Sequence, residues 1–248
     1  MFFESMETLS RPLQIHPTHI HPAKEYNNEI EFLHNFFVIS SFLSNFIFMK
    51  DLDSKLFNID IPTGAPEVGS ILIAEPFLKE NWFRHSVICM IDCDADQSAM
   101  GVVMNRPSGQ SLDILIDGVT IDSDIPVWVG GPMSLDRLFF LHTLGNLIPG
   151  SRQIIPGLHI GGDLDEMLSY INGGLPLEGN VRFFVGYSGW SPRQLEQEIS
   201  DHVWAVDSAL PVKELLSGGD DSYWHRYVRR LGPAYRHWLY HPINTHLN

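Results

Sequence analysis

Three short stretches carry side chains able to hold or move charge. Asn105-Arg106-Pro107 follows an apolar run, and its proline biases Arg106 toward an extended backbone. Gly130-Gly131-Pro132 follows a second run and leads on to Asp136, Arg137 and His142. Gly186-Tyr187-Ser188-Gly189-Trp190 follows a third and passes straight into Ser191-Pro192. The guanidinium groups of Arg106 and Arg137 suit a carboxylate or phosphate, and His142 near Asp136 has the residue types of an acid/base pair. A glycine loop feeding a helix start presents free N–H groups to an anion. Tight turns and helix-sheet packing also call for glycine, so a small-anion site and a purely structural role carry equal weight.

Other chemistries lack their residues. A serine nucleophile elbow needs a glycine where Trp190 follows Gly186-x-Ser188-Gly189, so the motif stops short. No lysine follows a glycine loop as a nucleotide-hydrolysing P-loop requires. Glu196 and Glu198 stand two apart, on different faces of a helix, and form no carboxylate pair. His16, His19 and His21 crowd together, but Pro17 and Pro22 break any helical face and no thiol or carboxylate completes a ligand set. Neither a metal nor a cofactor is expected. Cys89 and Cys93 lie in one apolar run, about 13 Å apart if extended, beyond disulfide reach and without zinc spacing. Free thiols of that kind point to the cytoplasm.

Charge narrows the partners. The 248 residues carry a formal net charge of −14, which opposes nonspecific binding to nucleic acid. The basic cluster Arg226, Arg229, Arg230 and Arg236 alternates with Tyr227, Tyr235 and Trp238. Such mixing suits single-stranded nucleic acid, yet a solvated helix face or a protein-facing surface explains it better. Phe32 to Met49 is the one candidate membrane segment, and its His, Asn and Ser residues argue against it. Residues 1–48 read as an extension outside the native fold, with Met49 as the natural start of a single domain over 49–248.

The elements that position these residues follow from periodicity. Ile71–Ala74, Ser86–Ile91, Gly101–Met104, Val127–Val129, Leu138–Leu141, Val181–Val185 and Val203–Val206 are apolar runs bounded by turn residues, the mark of buried strands. Asp163 with Glu166 predicts a capped helix ending at Gly173-Gly174. Ser191 as N-cap, with Pro192 first and Gln194 closing the box, predicts another. Ser222 opens a last helix striped by Trp224, Tyr227, Val228 and Leu231.

Read together, GSILIAEPFL at Gly69, FRHSVI at Phe83, AMGVVMNRP at Ala99, VGGPMSLDRLFFLH at Val129 and GYSGWSPRQLEQEI at Gly186 resemble the AlgH/YqgE family (UPF0301) of bacterial proteins, in order from about Gly69 to Gly232. The resemblance implies a mixed α+β fold, with a bifurcated mixed β-sheet forming a pseudo-barrel flanked by helices. It implies a role in transcriptional regulation, through an unknown protein partner or a small anionic ligand, and no accepted activity or cofactor. Matching positions are Asn105, Arg106, Gly130, Gly131, Pro132, Asp136, Arg137, His142, Tyr187, Gly189, Trp190 and Glu196. Leu138 replaces the glycine usual after the Asp-Arg pair, and Ser188 stands where alanine is common. The alternative is an enzyme acting on a small anionic substrate in a cleft between the Asn105, Gly130–Arg137 and Gly186–Trp190 loops, with His142 as acid or base.

Overall fold

The computed structural model describes Leu13–Gln14 and residues 65–240, apart from 79–81, 95–97, 123, 209–210 and 220–221. The expected extension over residues 1–48 therefore lies outside the described residues except for Leu13–Gln14 (β1).

Two sheets share one long strand. Ile71–Ala74 (β2), Val87–Asp94 (β3) and Ser98–Val103 (β4) form an antiparallel meander, and Trp204–Asp207 (β11) adds to the outer edge of β2. Every residue of β2 is buried, as its unbroken apolar run requires. On the other side, Pro107–Ser111 (β5) pairs with Pro126–Val129 (β6), and Met133–His142 (β7) leads through Leu158–Ile160 (β9) to Arg152–Ile155 (β8). Val181–Trp190 (β10) belongs to both sheets. Its first half runs parallel to β6, Phe183 opposite Val127, and its second half antiparallel to β4, Ser188 opposite Gly101. Along its other edge it pairs with β7 from Val181 to Tyr187, across a bulge. The sheet therefore forks where β10 changes partner.

This is the mixed α+β, bifurcated arrangement that the resemblance implied. The path from β11 to β8 stays open, so no barrel closes by hydrogen bonds among the described residues. Away from the ladders, β8 reaches the region of β2 and β3: Arg152 donates to the Ile91 carbonyl at 2.8 Å, and Ile155 lies against Gly69.

Helices cover the sheets. Asp163 accepts from the Glu166 N–H at 3.1 Å and caps Leu164–Asn172 (α2), which buries Met167 and Ile171 as expected. Ser222–Arg230 (α5) buries Tyr223, Trp224, Tyr227 and Val228, spaced for one face. Trp224 fixes it to the sheet by donating its indole N–H to the Ala74 carbonyl at 2.9 Å. Two short helices, Leu112–Leu115 (α1) and Val212–Leu215 (α4), were not legible as periodic runs. Gln194–Ser200 (α3) begins two residues later than predicted, with Arg193 in a left-handed conformation before it. Half of the predicted box survives, since the Ser191 N–H and hydroxyl both donate to Gln194 Oε1. The other half fails because the chain turns at Pro192-Arg193 before the helix can start. Among the described residues, no helix is long and apolar enough to cross a membrane.

Candidate functional site

The expected loop Gly186–Trp190 is strand, and this changes the reading of the glycines. β10 continues through Trp190, so no glycine loop presents N–H groups at the start of α3. Gly130 sits at the fork: its N–H donates to Val185 O, and its carbonyl accepts from the Val103 N–H at 2.8 Å and the Ser188 hydroxyl at 3.0 Å. A Cβ on Gly131 would stand 2.3 Å from the Tyr187 carbonyl carbon. These glycines let two backbones cross. Ser188 is wholly buried and committed to Gly130, so it is no exposed nucleophile.

Opposite Gly186, β7 bulges. The register passes from Val185 opposite Leu138 to Tyr187 opposite Met133, so Ser134–Arg137 face the single residue Gly186. Bulges of this kind re-aim side chains. Asp136 is exposed there, and Arg137 is half-buried. Tyr187 is buried, its hydroxyl bonded to the Ser134 side chain and within the field of Arg137; burial nevertheless raises its pKa above the ordinary phenol value. Gly189 packs against Met133 and the Tyr187 ring.

His142 lies elsewhere. It pairs with Val181 at the far end of β7, nine positions beyond Met133, or roughly 30 Å along an extended strand. Its side chain is wholly buried: Nδ1 accepts from the Leu144 N–H at 3.2 Å, and Nε2 faces Gly161 O at 3.0 Å. Both nitrogens are engaged, and burial pushes its pKa down to about 4, with His159 stacked beside it. It is a neutral structural histidine, far from Arg137 and Tyr187. Trp190 is buried under α3, donating to Glu198 Oε2 at 2.8 Å. Trp204 donates to the same oxygen at 2.7 Å, and Gln194 to Oε1 at 2.8 Å. Glu198 is thus buried and tied down, whereas Glu196, the residue matched to the family motif, is half-buried on another face.

Asn105 and Arg106 belong to a different concentration of polar groups, at the rim where β2 ends, β3 begins and β4 ends. Ile73 opposes Val87 and Ile88 opposes Val103, so the residues just beyond the ladders meet at one level. There Asn105 stands in for strand pairing: Oδ1 accepts from the Val87 N–H at 2.9 Å and Nδ2 donates to His85 O at 2.8 Å. The Arg106 carbonyl accepts from the Val129 N–H, and its half-buried guanidinium lies 5.5 Å from the centre of the Trp82 ring. Burial lowers the Arg106 pKa. His85, at a left-handed φ of 51°, stacks flat on Trp224 at 4.1 Å, and buried Glu75 follows β2 at the same rim. Neither Glu75 nor His85 was singled out from sequence. The available signal was a charged or titratable residue bordering a wholly apolar run on either side of one turn.

The candidates therefore divide. The sheet order β5-β6-β10-β7 sets Arg106 and Arg137 three strands apart, roughly 14 Å at ordinary strand spacing. Gly130, Gly131, Asp136, Arg137, Tyr187 and Gly189 gather at the bulge, Asn105 and Arg106 at the rim, Trp190 beneath α3, and His142 at the far end. The basic cluster near the C-terminus resolves as well. Arg229, Arg230 and Arg236 are exposed, but Tyr227, Tyr235 and Trp238 are buried beneath them and offer no stacking surface.

Comparison with known proteins places these features in a wider group. The AlgH-like family model matches residues 71–236. A UPF0301 protein of Parabacteroides distasonis is 38% identical over 195 residues, covering 78% of this chain and 98% of its own length. One from Bacteroides fragilis is 36% identical over 198 residues, covering 80% of this chain and all of its own length. The solution structure of AlgH from Pseudomonas aeruginosa aligns with a TM-score of 0.56 at 28% identity, over 69% of this chain and 93% of that one. A crystal structure from Corynebacterium diphtheriae shares the fold with a TM-score of 0.59 at 22% identity, over 74% of this chain and 96% of that one.

Proposed function

The chain belongs to the AlgH-like family, and on that premise we propose that it acts by binding, taking a small anionic ligand at the rim formed by Trp82, His85, Asn105 and Arg106. One observation carries this reading: Arg106 is held on a strand end that Asn105 fixes with two hydrogen bonds, and its guanidinium already lies over Trp82. A cation whose backbone and ring partner are both set loses little freedom when an anion arrives. Arg also offers a planar fork for a carboxylate or phosphate.

Catalysis is the weaker reading because its residues are occupied. His142 spends both nitrogens on the backbone, and Ser188 is sealed inside. Control of transcription, the role the family resemblance suggests, then runs through the bound ligand or a protein partner rather than through duplex contact. The net charge of −14 and the buried aromatic residues of the basic cluster support that direction.

A thermal-shift screen with inorganic phosphate, nucleotides and phosphorylated metabolites tests the site. The expected result is stabilisation by at least one compound, lost in Arg106→Ala and kept in Arg137→Ala. A response that survives Arg106→Ala, or a wild-type chain indifferent to the whole panel, overturns the assignment. Tight, sequence-independent DNA binding at moderate salt in a gel shift would overturn the indirect route to transcription.

A further inference from the structure

Among the described residues, the two edges of strand β7 are paired unequally. β10 follows the first along its length. On the second, β9 reaches only Leu141 and His142, and the Gly161 N–H bonds to Phe140 O. Toward the start of β7 the Ser134–Arg137 bulge interrupts regular pairing, with Ser134 at a left-handed φ of 50° and Asp136 exposed. Between these limits lies a short window of edge around Arg137–Phe139. Unpaired edge N–H and C=O groups are a template for another strand.

In this chain the window is filled. Leu13 pairs with Leu138 and Gln14 with Arg137, antiparallel. In the sequence that strand is flanked by Pro12 and Pro17, which have no N–H to donate. So short a ladder is weak in itself. Tethering raises its local concentration into the millimolar range or so, which is enough to seat it and too little to lock it.

We propose that the β7 edge at Arg137–Leu138 is a docking site for an extended, proline-bounded peptide strand, which the chain's own Leu13–Gln14 segment occupies and a partner protein's strand can replace. Main-chain bonds to the edge supply affinity, and an apolar residue opposite Leu138 supplies selectivity. The site is independent of the rim at Arg106, so either can fail without the other.

The test uses the full chain and amide hydrogen exchange. Replacing Leu13 and Gln14 by proline removes the resident strand's donors. Exchange at Leu138, whose N–H faces β1, is expected to speed up about tenfold or more, while Phe139, whose N–H faces β10, and the amides of β2 and β3 keep their protection. A peptide of residues 11–17 at millimolar concentration should then restore the slow exchange. Unchanged exchange in the variant, or no recovery with peptide, overturns the proposal. Recovery that tracks protein concentration without peptide also overturns it, because the occupant is then a second copy. As a second measurement, the same peptide titrated into the unaltered chain should move NMR signals only around residues 137–139, and a peptide with proline at positions 13 and 14 should move none.

Discussion

A Cβ placed on Gly130 would stand 2.3 Å from the carbonyl oxygen of Gly186. Those two backbones touch because β10 changes partner at that point, leaving β6 for β4, while the turn into β7 passes across it. Both faces of the crossing are therefore built from glycine: on the facing side, a Cβ on Gly186 would meet Gly131 O at 2.6 Å.

The fork is expected to tolerate no side chain. Gly130→Ala and Gly186→Ala should each lower stability by about 3 kcal/mol or more, since neither contact is with a side chain that can swing away. Gly109 makes the control: its φ of 73° is also left-handed, but a Cβ there meets nothing within 4 Å. Gly109→Ala should cost only ~1 kcal/mol, from backbone strain alone. Urea unfolding of the three variants separates crossing from strain, and equal losses would refute the close approach.

Arg182 gives a second expectation. It is a buried cation that donates to Met104 O at 2.7 Å and to Gly218 O, with Trp128 4.5 Å and Tyr223 5.7 Å from its guanidinium carbon. Arg182→Lys keeps the charge but cannot reach both carbonyls or lie flat on a ring. A loss of about 3 kcal/mol is expected, and a neutral outcome in chemical denaturation would mean that the planar group is not what the pocket needs.

His142 sets an acid limit. Its folded-state pKa is depressed from 6.5 to about 4 by burial, against the favourable bond to Gly161 O. Protonating Nδ1 would set a new N–H against the Leu144 N–H that it now accepts. A depressed pKa contributes stability that is complete above about pH 6.5 and lost as pH falls toward 4, up to ~3 kcal/mol. His142→Phe should be less stable at neutral pH, because Leu144 N–H and Gly161 O lose their partner. Its melting temperature should fall less between pH 6.5 and pH 4.5 than that of the unaltered chain. Parallel curves would show that His142 does not titrate in that window.

How far the sequence reaches can be judged from particular residues. The Asp163 cap and the buried β2 run were legible because each is local: a side chain meets its own backbone, or a strand hides both faces. The extension of β10 through Trp190 was not. Glycines at 186 and 189 read as loop, and only the approach of Gly131 and Met133 from elsewhere in the chain explains them as a strand facing a bulge. Arg106 and Arg137 each read from sequence as candidate anion contacts, but their separation depends on β6 and β10 lying between β5 and β7. Strand order is set by long-range pairing and leaves no local trace. His85 and Glu75 were missed for the same reason, since each matters only where three strand ends meet.

Glu198 supplies the last expectation, opposite in sign to that of His142. Two indole N–H groups and the Gln194 amide hold its carboxyl beneath α3. Burial still raises its pKa above 4.5, outweighing the three hydrogen bonds that favour the ionised form. A raised carboxyl pKa means stability that is fully present below about pH 4.5 and declines as pH climbs through the folded-state value. Glu198→Gln removes that charge and keeps one oxygen for Trp190 and Trp204. The Gln side-chain nitrogen, however, must face Gln194, whose own oxygen is already taken by Ser191. The variant should therefore be the less stable protein near pH 4 and recover relative to the unaltered chain as pH rises to 8. Tryptophan fluorescence followed through urea unfolding at both pH values measures the difference, because two of its reporters contact the altered group. A stability gap that widens toward alkaline pH would mean that the hydrogen bonds outweigh burial and that Glu198 is held as a carboxylate.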